Sequence, residues 1–548
     1  VAGAAVRSTT ASARVHRSLD RATLGGIAVV AAALHAVAIG LGLRLHQGDF
    51  SKRQLSSLWQ LLPYDVLRHD LFSSLGHLPS QPPAFNLATG LLIELPTGAR
   101  PLLANTVMLL CAVVLAVATA GVLLELGVPR TVTVVVVGLF VLADPAQYLY
   151  VDFYFYALPT AALVTVAAWA AIRWVRSERA VPGACYGACA AALVLTNSTY
   201  QLYVVALATI PIAWALRRRW RQVLAVLVVP FVVVGAWYVN DAIRFHTLTT
   251  SSWVGMNLGR ATVELDAPSD LEALVADHVL APIVLVRPFS PLGAYGTAGM
   301  ARATGVAALD QRQKLSALEP NYNNLAYVAI SNHYLSNDLH WIEHRPVTYV
   351  RNVTVGLRLW LLPTDQYFAT EGLGSYRLGG YTTWYDRIVD LQPSMDRNAA
   401  WIVVIDHLGP GFANLSYLAV AELLLGLCVL PLVIWRRRRL DPARAAGATW
   451  VWATCAIVFV TTTLLEAAEN NRFRFELGGA PLIAATVAVV WLVAPSVVGV
   501  GLLGGGARGE RDGGAGEPLA VDDESPRVPA GGGELQGTEV DGHRDVDG

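Results

Sequence analysis

Charge is what this chain most conspicuously lacks. Only 15% of its 548 residues are Asp, Glu, Lys or Arg, and 54% are hydrophobic; a soluble domain carries about 25% charged residues. A soluble class is therefore excluded and an integral membrane protein implied. Lysine is almost missing, since Lys52 and Lys314 stand alone among many arginines. The net charge of −1 carries no message about partners and nothing points to nucleic acid; what counts is where the charges sit. Cysteine is scarce as well. Cys111, Cys185, Cys189, Cys428 and Cys455 all lie inside apolar runs, so no disulfide framework holds the loops. Cys185 and Cys189 are one helical turn apart, but without His or acid beside them they read as small buried residues rather than metal ligands. A Gly-rich phosphate loop, a serine-triad signature and a Cys/His zinc pattern are all absent. No stretch alternates strand and helix patterns as a nucleotide-binding α/β domain would. No internal repeat is visible, which argues against a transporter built from duplicated halves.

What the chain does have is long apolar runs. Runs near 24–43, 103–124, 131–148, 157–175, 182–197, 200–216, 222–240, 411–435, 447–465 and 477–498 predict about ten membrane-spanning helices. The expected fold is thus an all-α polytopic membrane protein. Arginines cluster at the N-terminus (Arg7, Arg14, Arg17, Arg21), at Arg173, Arg176 and Arg179, at Arg217–Arg221, and at Arg436–Arg439. With the N-terminus inside, ten crossings place all four clusters in the cytoplasm, as the positive-inside rule asks. A break at "TNSTY" between the fifth and sixth spans is required for this. The domain plan is a cytoplasmic N-terminus (1–23), a membrane region (24–240) containing an outer loop (44–100), a large extracytoplasmic segment (241–410), further spans (411–500), and an acidic, Gly-rich, disordered cytoplasmic tail (501–548).

That threading gathers the polar stations on the outer face. In the first outer loop, "LSSLWQLLPYDVLRHDLFSSL" spaces Leu58, Leu61, Leu62 and Leu67 as an amphipathic surface helix beside Asp65. Asp49 lies about six residues beyond the first span, at the bilayer's outer edge. Solvated loop charges are the plain alternative for both acids. "DFYFYALP" sets Asp152 among tyrosines; an interfacial aromatic belt explains the tyrosines without needing the acid. "EAAENNRFRFELGGAPL" crowds Glu466, Glu469, Asn471, Arg472 and Arg474 at a span end, where charges are costly and are paired or functional. Arg472 and Arg474 together offer guanidinium forks suited to a headgroup phosphate; a local Glu–Arg network is the alternative. His333, His340 and His344 share a helical face, but no metalloprotease pattern accompanies them, and "RNVTVGLRLWLLPT" reads as an amphipathic surface helix.

In chain order, "SQPPAFNL", "YVDFYFYALP", "LTNSTYQLYVVAL", "SSWVGMNLG" and "ENNRFRFELGGAPLI" resemble the GT-C superfamily of membrane glycosyltransferases, nearest to its protein O-mannosyltransferase-like branch. The resemblance covers roughly residues 24–500. It implies transfer of a hexose or mannose-like sugar from a polyprenyl-phosphate carrier to a hydroxyl acceptor (protein, lipid or cell-wall glycan) at the outer face of the cytoplasmic membrane. A first-loop aspartate, Asp49 first and Asp65 second, would be the general base. Asp152 would orient the acceptor, and Arg472 or Arg474 would grip the phosphate, with His77, Gln81, Glu469 and Asn471 in the binding set. A divalent metal is possible but has no support in the residues. The sequence departs from the pattern in that Asp49 lacks a neighbouring acid and His77 stands five residues before Pro82. The rival readings are a lipid or polysaccharide transporter and a non-catalytic assembly protein. The enzyme reading expects the first-loop acids, Asp152 and both arginines to line one outward cavity.

Overall fold

Apolar runs long enough to cross a bilayer, each ended by Gly, Pro or a charged turn, become helices throughout. The computed structural model describes the backbone of residues 2–299, 302–314, 318–367, 377–393, 414–437 and 441–494, with side chains from residue 18 onward except at 297–299. The proposed tail, 501–548, lies outside the described residues. The described residues are all-α apart from one antiparallel pairing of Gln313–Lys314 with Glu319–Pro320, Gln313 opposite Pro320.

Among the described residues six helices are long and apolar enough to span a membrane: Ser18–Gly40, Ala99–Glu125, Ala157–Ser177, Arg217–Phe245, Tyr417–Arg436 and Pro442–Leu465. The count rises to eight if two bent pairs each make one span. The expected fifth and sixth spans exist as helices Ala180–Thr196 and Leu202–Ala215, broken at "NSTYQ", but they have only 17 and 14 residues. At ~1.5 Å per residue neither reaches the ~30 Å of a hydrocarbon core.

The first bent pair falls where an unbroken span, 131–148, was expected, and the second joins the expected last span to the stretch expected to flank it. Helix Arg130–Val137 continues as a π-helical stretch, Gly138–Leu142, then stops, and Pro145–Asp152 restarts at an angle of 46°. Pro145 opens the second piece and Asp144 caps it, accepting a hydrogen bond from the Ala146 N–H at 2.8 Å. The carbonyls freed by the break are met by tyrosine hydroxyls: Tyr148 donates to Leu142, Tyr385 to Leu139 and Tyr381 to Ala143. A backbone break at membrane depth is tolerable only with such partners. The second pair, Asn470–Glu476 and Ala480–Val493, bends by 70°. Gly478 sits at the bend with φ +59°, and a Cβ there would fall 2.3 Å from the Ala161 carbonyl oxygen. No larger residue fits that corner.

At one end of the bundle the short connections carry opposite charges that pair: Asp20 with Arg130 (2.7 Å), Glu125 with Arg176, and Glu178 with Arg219 (2.8 Å). At the other end lie the first loop and the long segment. The first loop is not the single surface helix expected. Pro63 and Asp70 divide it into helices Lys52–Ser57, Tyr64–His69 and Leu71–Leu75, and Leu58, Leu61, Leu62 and Leu67 are all buried. Trp59 from this loop joins a second core of Trp253, Met256, Tyr322, Tyr327, Tyr334 and Trp341 from the long segment. There helix Val254–Ala261 crosses helix Ala326–His344 so closely that a Cβ on Gly255 would sit 1.8 Å from the Ser331 carbonyl oxygen. Helix Pro346–Trp360 is amphipathic as expected, burying Asn352, Val355, Gly356 and Leu359 at one-face spacing.

Candidate functional site

The stretch expected to flank the last span is itself a buried helix, Asn470–Glu476, and its period decides the site. Side chains three and four residues apart share a helical face, whereas those two apart point ~200° away from each other. Arg472 therefore meets Glu469 and Glu476, contacting both carboxylates, and donates to the Tyr156 hydroxyl at 3.1 Å. Glu476 is held from its far side by the Asn197 amide at 2.7 Å. The rings of Phe155, Tyr156, Tyr367 and Phe473 surround the guanidinium, 4.6–5.6 Å from its carbon.

A cavity of about 310 Å³ opens beside this helix. Its aromatic walls are Trp59, Tyr156, Tyr203, Trp253, Phe289 and Phe473; its polar groups include Gln60, Gln81, Gln201 and Asn257. Its charges are Arg260, Arg472, Glu466 and Glu469. Arg260 lies over the Phe289 ring at 4.5 Å and near Trp59 at 5.7 Å, and it reaches Glu466 at 3.3 Å and Glu469 at 3.8 Å. Burial works against the Arg260 cation, but Glu466 and Glu469 outweigh it and hold the guanidinium firmly charged. Burial raises the Glu466 carboxyl above its ordinary range, Arg260 pulls it back, and the neighbouring Glu469 charge raises it again.

The stretch "HLPSQPP" forms part of the wall. Ser251 donates to the Ser80 carbonyl at 2.6 Å, the Ser80 hydroxyl donates to Asn323 at 3.0 Å, and the Gln81 side-chain oxygen is buried at the cavity with no hydrogen-bond partner. Of the residues singled out from sequence, Gln81, Glu466, Glu469 and Arg472 line the cavity together. The others do not. Asn471 donates to the Pro363 carbonyl at 3.2 Å and braces the neighbouring segment. Arg474 faces the opposite way into a smaller cavity of about 70 Å³ with Asp144, Asp390 and Glu422, where it donates to the Leu362 carbonyl at 2.9 Å and pairs with Glu422 at 3.4 Å. His77 contacts Arg244. Asp65 pairs with Lys52 at 2.6 Å, both about half exposed.

Asp49 and Asp152 do come together, as a separate acidic corner. Asp152 pairs with Arg377 at 3.5 Å and feels the charges of Asp49 and His46. A chain of ring contacts, Phe50 on Tyr154, Tyr154 on Phe85 and Phe85 on Tyr156, runs between that corner and the cavity wall. The expectation of a single cavity holding all the acids and both arginines is therefore corrected: the helical period splits the arginines, and neither first-loop acid lines the cavity. His333, His340 and His344 lie exposed on one face, and among the described residues no group of three or more His, Cys, Asp or Glu side chains is placed to hold a metal.

Arg260, Trp59 and Gln201 were not singled out from sequence as site residues, although "SSWVGMNLGR" and "TNSTYQ" were marked as stations. The signal for Arg260 is an arginine on an otherwise apolar helical turn. No family model, curated protein or solved structure matches the chain.

Proposed function

We propose that the chain is a polytopic membrane glycosyltransferase of GT-C type that moves a sugar from a polyprenyl-phosphate carrier to a hydroxyl acceptor in the Arg260–Arg472 cavity. One observation carries this reading: two guanidiniums, the buried Arg472 and the half-buried Arg260, face a cavity that also holds ring walls, amides and carboxylates. Sugar rings present apolar faces to aromatic side chains and hydroxyls to amides, and a departing lipid phosphate needs fixed cations sheltered from water. The chain-order resemblance of five motifs supports the same reading. All five contribute cavity residues, among them Gln81, Tyr156, Gln201, Asn257 and Arg472.

Ten crossings, counting Ala180–Thr196 and Leu202–Ala215 as short spans, put the arginine-rich connections in the cytoplasm. The cavity then opens on the extracytoplasmic side of the cytoplasmic membrane, among lipid headgroups where a polyprenyl phosphate resides.

The test is transfer by the purified full chain in nanodiscs, from polyprenyl phosphomannose and polyprenyl phosphoglucose to octyl mannoside or a Ser/Thr peptide. Arg260→Gln is expected to lower turnover at least ~10²-fold, the usual cost of losing one charge-stabilising donor. A second reading, movement of a lipid-linked substrate across the membrane, draws support from the two bent helix pairs. Movement of labelled lipid without covalent transfer would favour it.

A further inference from the structure

We propose that Glu466 is the general base of this site, taking the acceptor's hydroxyl proton in place of the first-loop aspartates; the proposal rests on the transferase reading above. The cavity's lining contains two carboxylates, Glu466 and Glu469. They differ in how firmly they are held. Glu469 contacts Arg472 through one oxygen and approaches Arg260 with the other at 3.8 Å, so both its oxygens face cations. Glu466 is held through one oxygen alone, by Arg260 at 3.3 Å. Its second oxygen stays available to an incoming hydroxyl.

The position of Glu466 is fixed by the chain on either side. It follows helix Pro442–Leu465 directly, with extended backbone, and its carbonyl accepts from the Asn470 amide at 3.1 Å, so the turn is pinned across its own length. Asp49, Asp65 and Asp152 lie outside the lining, and no described contact carries any of them into it.

The step balances as follows. The acceptor O–H proton passes to the free Glu466 oxygen while the acceptor oxygen bonds to the sugar's anomeric carbon. The bond from that carbon to the phosphate oxygen breaks, and its electron pair leaves with the polyprenyl phosphate facing Arg260 and Arg472. Donor and base are coupled through Arg260. A phosphate drawn to Arg260 competes with Glu466 for the guanidinium, so donor binding removes the charge that holds Glu466 ionised and strengthens it as a proton acceptor. Burial already biases the carboxyl in that direction.

The experiment compares wild type with Glu466→Gln, Glu466→Asp, Asp49→Asn and Asp65→Asn in nanodiscs. It measures turnover from polyprenyl phosphomannose and phosphoglucose, the pH profile, and equilibrium binding of radiolabelled polyprenyl phosphate. Glu466→Gln should lose ~10²–10⁴-fold in turnover, lose the acidic limb of the profile and bind the lipid phosphate within about threefold of wild type. Retained binding separates this result from misfolding. Glu466→Asp should recover part of the activity with a shifted limb, and the two Asp→Asn variants should stay within about threefold. Wild-type transfer with Glu466→Gln unchanged, or with the acidic limb surviving, overturns this inference and leaves the transferase reading standing. No transfer by wild type from either donor overturns both.

Discussion

Arg472 and Arg474 are two residues apart on one short helix, yet they serve different regions. Arg472 borders a cavity of about 310 Å³ in which two arginines, two glutamates and six aromatic side chains meet. Arg474 closes a space of about 70 Å³ where Asp144, Asp390 and Glu422 surround a single guanidinium. In the first, each cation is matched by carboxylates and there is room for a ligand. In the second, the helix breaks at Ala143–Asp144 and Leu477–Gly479 come together, and the arginine ties a backbone carbonyl to a span. On the proposed reading the first region receives a molecule, and the second holds two bent helices in place. The comparison shows that a charged cluster in a membrane protein has to be read face by face.

The largest expected effect follows from removing a buried cation whose partners remain. Arg472→Met leaves the buried Glu476 without its ion-pair partner and Glu469 with only the more distant Arg260, and should cost about 3–5 kcal/mol in thermal or denaturant unfolding. Arg474→Met should cost about 1–3 kcal/mol, since one ion pair and one carbonyl hydrogen bond are lost. Equal losses would erase the distinction between the regions. Next is Gly478→Ala, whose Cβ would collide with the Ala161 carbonyl at a backbone angle that L side chains rarely adopt. A loss of about 1–3 kcal/mol is expected, with both cavities disturbed because the bend joins them.

A pH effect sharpens the contrast from the outer layer. Burial pushes Asp338 up to about 8, against the Thr262 hydrogen bond at 2.8 Å. Between about pH 4 and 8 the native state keeps a proton that the unfolded chain has lost. The stability from this group is full below that window, declines as pH rises and is gone above about 8. Wild type should thus lose unfolding temperature between pH 5 and 8 relative to Asp338→Asn, which removes the titration; parallel curves would contradict the assignment. The smallest effect is expected for Asp65→Asn. Its pair with Lys52 is solvent-screened, and unfolding should move by no more than about 1 kcal/mol.

Much of this layout was legible in the sequence. Apolar runs located the helices because burying every backbone polar group leaves few other solutions in lipid. The break at "TNSTY" followed from the sidedness of the arginine clusters, and the amphipathic face within 351–364 from spacing. The two bends did not, because hydropathy averages over a window and is blind to one Asp-Pro step or one glycine corner. The first-loop leucines were read as a surface stripe, and Pro63 and Asp70 turn them inward instead. The paired reading of Arg472 and Arg474 would suit a strand, where alternate residues share a face; in a helix they part. Arg260 is marked locally only as an arginine on an apolar turn; its place in the site depends on Trp59, some two hundred positions earlier, and on Glu466 and Glu469, some two hundred later.

The most direct test of the central claim is equilibrium binding of radiolabelled polyprenyl phosphate to the full chain in nanodiscs, compared among wild type, Arg260→Gln and Arg474→Gln. We expect saturable binding that weakens at least ~10-fold in Arg260→Gln, on the order of 1.4 kcal/mol, and stays within about threefold in Arg474→Gln. Binding that is equal in all three proteins, or lost only in Arg474→Gln, would contradict it.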